Sequence, residues 1–361
     1  DCTLTASSAA KVVVRTEIGK TYFIVVEGPP NLVQGRFGLT VSTLEAPRND
    51  VCTGAVEIQP NGRPTFGSIT NASSEYGRNY FCSYDFYAPT VWYVLEGTGG
   101  IVAVTTCSQE LDFDSALSVS TGNCNTQQCV TNNAYNQFDC SISGRSAARV
   151  VFRTIPQVNY FIVVEGLNYN SQGHFALTAS TLTPVPNDGC INATRLQPNG
   201  SVLGTITNAT GSDSYCVLST NNPSVWYNIN GTGGVIEFST CSQELDFRTG
   251  LSIISGTCGN QQCLVPSFSG SDICTTLSFH TELGVNYYII VEGVDSPSEG
   301  VFRLSTRTIP TTPNAVCSGA LPLPRNGSVK GTITNTLGVP TPCSERYNTP
   351  ALWYTLNGTG S

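Results

Sequence analysis

The chain repeats itself. "VWYVLEGTGGIVAVTTCSQELDF" at 91–113 returns as "VWYNINGTGGVIEFSTCSQELDF" at 225–247, and a third copy begins as "LWYTLNGTGS" at 352–361. A long internal period means that one folding unit is used in series, so each unit must bury its own core within one period. Cysteines mark the period. Cys82, Cys107, Cys124, Cys129 and Cys140 recur 134 residues on as Cys216, Cys241, Cys258, Cys263 and Cys274. Cys52 recurs as Cys190 and Cys317, and Trp92 as Trp226 and Trp353. "YFIVVEG" at 22–28 and 160–166 becomes "YYIIVEG" at 287–293. Pro-containing linkers ("EAPRNDVC", "TPVPNDGC", "TTPNAVC") open each unit. The expected boundaries are a C-terminal part of a repeat at 1–46, full repeats at 47–183 and 184–310, and an N-terminal part of a further repeat at 311–361. The partial ends read as a window on a longer tandem array.

Each unit reads as all-β. "GGIVAVTTC" alternates, and its other copy, "GGVIEFSTC", shows the sense: Val102/Val104 become Ile236/Phe238, whereas Ala103 becomes Glu237. The first set is expected to face inward. "ALSVSTG" and "GLSIISG" place Leu117/Val119 and Leu251/Ile253 inward in the same way. "TYFIVV" is apolar on both faces and suits a central strand. Gly, Asn, Ser and Pro turns separate about eight short strands per unit, and "GTGG" (97–100, 231–234) suits a hairpin turn. The fold expected is a tandem array of jelly-roll-like β-sandwich repeats with disulfides.

Composition narrows the classes of function. Among 361 residues, 12% are charged and the net charge is −8, which argues against nucleic acid as a partner. No apolar run has the length of a membrane span. Fifteen cysteines beside two histidines, without CxxC or Cys/His zinc spacing, read as disulfides formed in an oxidising compartment. The expected location is therefore extracellular, secreted or at the cell surface. Six cysteines allow fifteen connectivities. Short spacing favours sequence order: Cys52–Cys82, Cys107–Cys124 and Cys129–Cys140, then Cys190–Cys216, Cys241–Cys258 and Cys263–Cys274, with Cys317–Cys343 in the last unit.

"VWYxxxGTGG", "TTCSQELDFDSALSVSTGNC" and "TYFIVVEGxxxxxGRFGLTVS" resemble bacterial pre-peptidase C-terminal domains, in their longer cysteine-bearing version, over essentially the whole chain. The resemblance implies a jelly-roll sandwich and a secreted accessory or surface module, without a reaction. Related collagen-binding modules hold calcium through acidic residues. Where the family has an acidic "NDD", this chain has "TNNAYN" (131–136) and "VPSFSG" (265–270), so no metal site is expected.

The chemistry-bearing residues divide in the same direction. Asp112 and Asp114 at i and i+2 would share one face of a strand and offer a cation two carboxylates, but the second copy has Asp246 and Arg248, and calcium wants six to eight oxygens. The Glu of "VVEG" (Glu27, Glu165, Glu292) has no second acid to work with and reads as a strand-end carboxylate bonded to backbone amides or solvent. His174 and His280 fall at different places in the two copies. Of the Trp-Tyr pairs (92–93, 226–227, 353–354), the Trp suits the core and the Tyr is the better carbohydrate contact. Seven Asn-x-Ser/Thr sequons, at Asn71, Asn192, Asn199, Asn208, Asn230, Asn326 and Asn357, lie in turn or strand-end contexts suited to glycans. No catalytic residue and no cofactor is expected. The first function expected is structural: a glycosylated extracellular repeat protein forming a fibre, filament or surface layer by self-association. The alternative is an accessory module of a larger secreted protein that binds carbohydrate or a matrix protein.

Overall fold

A computed structural model describes residues 11–27, 35–74, 82, 88–132, 137–140, 142–212, 214–220, 222–269, 273–294, 299–310, 312, 314–315, 317–324, 327–333 and 351–358. The chain divides into two compact units, Asp1–Leu182 and Thr183–Ser361. The first opens its full copy with a 3-10 turn at Cys52–Gly54. Ten strands follow: β1 (Val56–Glu57), β2 (Thr65–Ser68), β3 (Thr90–Glu96), β4 (Ile101–Thr105), β5 (Ser115–Asn123), β6 (Thr126–Asn132), β7 (Gln137–Cys140), β8 (Arg145–Arg153), β9 (Asn159–Gly166) and β10 (His174–Leu182). They form two five-stranded sheets, in the orders β1-β3-β9-β5-β6 and β2-β10-β4-β8-β7.

The second unit has nine strands in its full copy: β11 (Thr194–Arg195), β12 (Ser201–Thr205), β13 (Ser224–Asn230), β14 (Val235–Ser239), β15 (Thr249–Thr257), β16 (Asn260–Phe268), β17 (Thr276–His280), β18 (Asn286–Gly293) and β19 (Val301–Ile309). Its sheets run β11-β13-β18-β15-β16 and β12-β19-β14-β17, the same plan with β7 lacking a counterpart among the described residues. Beyond it, β20 (Leu321–Pro322) pairs in parallel with β21 (Tyr354–Thr355), as β1 does with β3 and β11 with β13. Each full copy is a jelly-roll-like β-sandwich, with more strands than the eight expected because two-residue edge strands are easily missed in a sequence.

The inward residues are the alternating ones. Val102, Val104, Leu117 and Val119 lie in one inter-sheet core, and Ile236, Phe238, Leu251 and Ile253 in the other. β9 and β18 are central strands, as their two apolar faces require. The outer face of β9 is apolar because a second layer covers it: Trp92 and Val163 pack there with Cys82, Cys52 and Ala55. Trp226 and Ile290 do the same with Cys216 and Cys190.

Three expectations are corrected. "GTGG" is not a hairpin turn, because β3 and β4 belong to different sheets, as do β13 and β14. It carries the chain from one sheet to the other. Gly99 has φ +87°, and the Thr154 hydroxyl accepts from the amides of Thr98 (3.2 Å) and Gly99 (3.1 Å). The cysteines do not pair in sequence order. The bonds are Cys52–Cys124, Cys82–Cys129 and Cys107–Cys140, then Cys190–Cys258, Cys216–Cys263 and Cys241–Cys274. Cys129 and Cys140, neighbours in sequence, lie on β6 and β7 of different sheets and in different layers: Cys140 is in the inter-sheet core, whereas Cys129 bonds Cys82 in the layer over Trp92. Cys317 is exposed and forms no disulfide with a described residue; Cys343 and Cys2 lie outside the described residues. In the first two Trp-Tyr pairs the tyrosine is no surface contact: Trp92, Tyr93, Trp226 and Tyr227 are all buried, whereas Trp353 and Tyr354 are half-buried. One ring enters each of the two apolar layers, so neither face of the strand meets solvent.

Candidate functional site

"CSQELDF" precedes β5 rather than forming a strand, so Asp112 and Asp114 do not share a strand face. Five of its seven residues hold another part of the sandwich. Cys107 reaches β7 by its disulfide. The Ser108 hydroxyl accepts the Ala176 amide at 3.1 Å. Leu111 is buried, and Phe113 meets Phe175 edge-on at 6.1 Å between centroids. The Asp112 carboxylate accepts the His174 amide at 2.7 Å and faces the His174 ring at 3.2 Å. Asp114 turns to a different partner, the Ser146 amide at 3.0 Å. In the second copy Asp246 accepts the Val301 amide at 3.1 Å, while Glu244 pairs with Arg303 at 2.8 Å. That guanidinium holds the Glu244 carboxyl below its usual range. The Asp112 and Asp246 carboxylates cap the entries to β10 and β19 closely enough to require glycine beside them. Gly173 and Gly300 have φ +151° and +157°, and a Cβ at either would overlap the Asp oxygen. Asp112→Ala is expected to lower the stability of its unit by about 1–2 kcal/mol. Denaturant unfolding checks it, and an unchanged midpoint would show the cap to be idle.

The Glu of "VVEG" is buried outright, at Glu165 and at Glu292. Glu165 accepts from the Ser118 hydroxyl at 3.3 Å. Both oxygens of Glu292 accept the Leu218 amide, at 3.0 and 3.1 Å. Backbone bonding agrees with the expectation at Glu292, but solvent plays no part. Burial pushes the Glu292 carboxyl up, against the lowering effect of neighbouring hydroxyl, amide and backbone donors. A raised folded-state pKa means that the folded state holds the proton more tightly than the unfolded chain. Its contribution is complete below the ordinary Glu range and is lost as pH rises through the folded value. Glu292→Gln is therefore expected to gain stability relative to the native chain as pH rises from about 4 to 7. Parallel pH profiles in denaturant titrations would contradict this.

The sequence reading missed the residues that seat the tryptophans. An Asn lies three residues before the first cysteine of each unit. The side-chain amides of Asn49, Asn187 and Asn314 donate to the carbonyls of Trp92, Trp226 and Trp353, at 2.9, 2.9 and 3.2 Å. The tryptophan amides donate back to the asparagine carbonyls, each at 2.8 Å. The next residue, Asp50, is buried and accepts the Ser73 hydroxyl at 2.9 Å and the Arg15 guanidinium at 3.0 Å. Asp188 accepts the Thr210 hydroxyl at 2.8 Å. The threefold "xNxxC" spacing was the available signal.

The described sequons fall into two groups. Asn192, Asn199, Asn230 and Asn357 are exposed. Asn199 keeps its amide nitrogen available, because its carbonyl oxygen takes the bonds from the Thr308 amide (2.8 Å) and hydroxyl (2.9 Å). Asn71 and Asn208 are half-buried at left-handed turns (φ +62° and +65°), and their sequon hydroxyls, Ser73 and Thr210, are held by Asp50 and Asp188. Asn326 lies outside the described residues. His280 is half-buried, and burial lowers its pKa. Burial pushes the Tyr93 and Tyr227 hydroxyls up to about 12. A shallow groove in the first unit, lined by Glu45, Arg48, Glu57 and Ser68, presents Phe66, which is 70% exposed. Among the described residues, no three of His, Cys, Asp and Glu gather to hold a metal, and no helix is long and apolar enough to cross a membrane.

No family model matches the chain, and no curated protein matches it. Among solved structures it is similar to the pre-peptidase C-terminal domain of a Bacillus anthracis collagenase, at 16% identity and a TM-score of 0.23, over 32% of this chain and 93% of that one. It is also similar to an uncharacterised Burkholderia cenocepacia protein, at 9% identity and a TM-score of 0.22, over 68% of this chain and 81% of that one. A tandem CBM22 pair from Paenibacillus barcinonensis Xyn10C matches at 9% identity and a TM-score of 0.18, over 61% of this chain and 82% of that one.

Proposed function

We propose that the chain is a non-catalytic, structural, extracellular repeat protein that builds a fibre or surface layer. One observation carries this reading: the chemistry-bearing residues that the two full copies share are engaged in the fold. Asp112 and Asp246 cap strands, Glu165 and Glu292 are buried between strands, and twelve cysteines are bridged. Six disulfides suit an oxidising, extracellular setting. Electron microscopy of the native material is the test. Regular polymers support the reading, and dispersed monomers at native concentration refute it. Glycans belong to the same proposal. Glycopeptide mass spectrometry of material from a glycosylating source is expected to find sugar at Asn192, Asn199, Asn230 and Asn357, and bare side chains at all four would remove the coat.

The alternative, a carbohydrate- or matrix-binding accessory module, has the Phe66 groove in its favour. An exposed aromatic ring flanked by charged and hydroxyl side chains suits a sugar face. Glycan and collagen arrays decide: saturable binding that Phe66→Ala abolishes would favour the module over the fibre.

A further inference from the structure

The two full copies treat one sheet edge differently. β6 ends the sheet β1-β3-β9-β5-β6, and β16 ends its counterpart in the second unit. An edge strand presents a row of amides and carbonyls to which another chain adds unless something blocks the row.

β16 is blocked. The Tyr215 hydroxyl donates to the Gln261 carbonyl at 3.3 Å and accepts the Cys263 amide at 3.0 Å. Further along, the Cys216 carbonyl accepts the Ser267 amide at 2.8 Å. Between them stands Pro266, which has no amide to offer.

β6 runs in the same register against its neighbour, with Gly122↔Gln127 and Ser120↔Cys129 in place of Gly256↔Gln261 and Ile254↔Cys263. The Gln127 carbonyl and the Cys129 amide therefore point outward as well, and among the described residues neither has a partner. Both guards differ in the sequence. Phe81, which lies outside the described residues, stands at the place of Tyr215 and has no hydroxyl; Asn132 stands at the place of Pro266. Cys129 is exposed where Cys263 is half-buried. The strand itself, TQQCVTN (126–132), carries no charge. The other edges of this unit are less open to pairing: β1 carries Glu57, β7 carries Asp139, and β2 has four residues, one of them Gly67.

We propose that β6 is an interaction surface and that its partner is β6 of a second copy of this chain. The two strands run antiparallel about a two-fold axis at Gln128. The Gln127 carbonyl of each copy accepts the Cys129 amide of the other, so the two groups that Tyr215 satisfies in the second unit satisfy each other in the first. Gln128 lies opposite Gln128. A charge there would meet its like across the axis, and the strand has none. Two five-stranded sheets thereby join edge to edge. A two-fold contact closes on itself, so it makes a dimer and no polymer. The pairing therefore stands apart from the fibre reading and goes beyond it.

The test uses the whole disulfide-bonded chain in sedimentation velocity, with amide hydrogen exchange as a second readout. The native chain is expected to dimerise with a Kd below about 300 µM, and exchange at the Cys129 amide should slow as concentration rises. Gln128→Lys is expected to weaken the dimer by at least about 5-fold, by setting like charges face to face. Phe81→Tyr with Asn132→Pro gives β6 the guards of β16 and should weaken it by at least about 10-fold. Both variants should keep the native melting profile and disulfide map, since the second unit already carries Tyr215 and Pro266. The reverse exchange, Tyr215→Phe with Pro266→Asn, opens a second edge and should give assemblies larger than the dimer. A native chain monomeric at about 300 µM, a Cys129 amide whose exchange ignores concentration, dimers unchanged in the first two variants, or a reverse variant no larger than the native chain would each overturn the proposal.

Discussion

Phe302→Ala is expected to destabilise the second sandwich by about 3–5 kcal/mol, the range for removing a fully buried aromatic ring from a packed core. Phe302 has no exposed surface. It meets Tyr227 edge-on at 6.1 Å and Phe247 at 6.2 Å, and its ring tip closes over Gly204. These neighbours come from β12, β13 and the segment before β15, and Phe302 itself from β19, so the ring joins both sheets, and little can collapse into the space it leaves. Phe175→Ala should do the same in the first unit, where Tyr93, Phe113 and Gly67 surround it. Denaturant unfolding that resolves the two units is the measurement. A loss below about 1.5 kcal/mol, the cost of a volume-conserving swap, would show that the sheets repack around the gap.

Reduction should have the larger effect. Each full copy has three disulfides that close loops between residues 72, 47 and 33 apart in the first and 68, 47 and 33 apart in the second. Removing a native disulfide typically costs about 2–5 kcal/mol, against a total stability of about 5–15 kcal/mol for a domain. Loss of all three is therefore expected to unfold each unit at ordinary temperature. Cys82–Cys129 and Cys216–Cys263 should matter most to local packing, since Cys82 and Cys216 form part of the buried layer over Trp92 and Trp226. Melting with and without reductant measures the loss, and non-reducing peptide mapping checks the pairs. A peptide joining Cys52 to Cys82 would contradict the fold described here.

The buried carboxylates show where pattern reading stops. The Glu of "VVEG" follows four apolar residues and precedes glycine, so the sequence marks it as a strand end. Strand ends usually meet water. Glu292 does not, because the segment around Leu218 lies over it and offers its backbone amide. That segment carries the cysteine bridged to Cys263, and its position follows from a long-range bond rather than from neighbours in the chain. The Tyr of the Trp-Tyr pair fails in the same way. Alternation places the two rings on opposite faces, which is correct, but only the covering layer makes the second face dry.

Local pattern by itself determined the repeat, the strand-rich composition of each unit and the inward set Val102, Val104, Leu117, Val119 with its second-copy equivalents. Alternation at period 2 is a property of the extended backbone and needs no partner to be read. The tertiary structure decided which cysteines bond, which sheet each strand joins and which strands "CSQELDF" holds. All three depend on pairs far apart in the chain: Cys52 with Cys124, β3 with β9 and Asp112 with His174. A spacing in sequence bounds such distances only from above. Packing chooses among them, since it puts Cys140 in the inter-sheet core and Cys129, bonded to Cys82, in the layer over Trp92 outside the sheet.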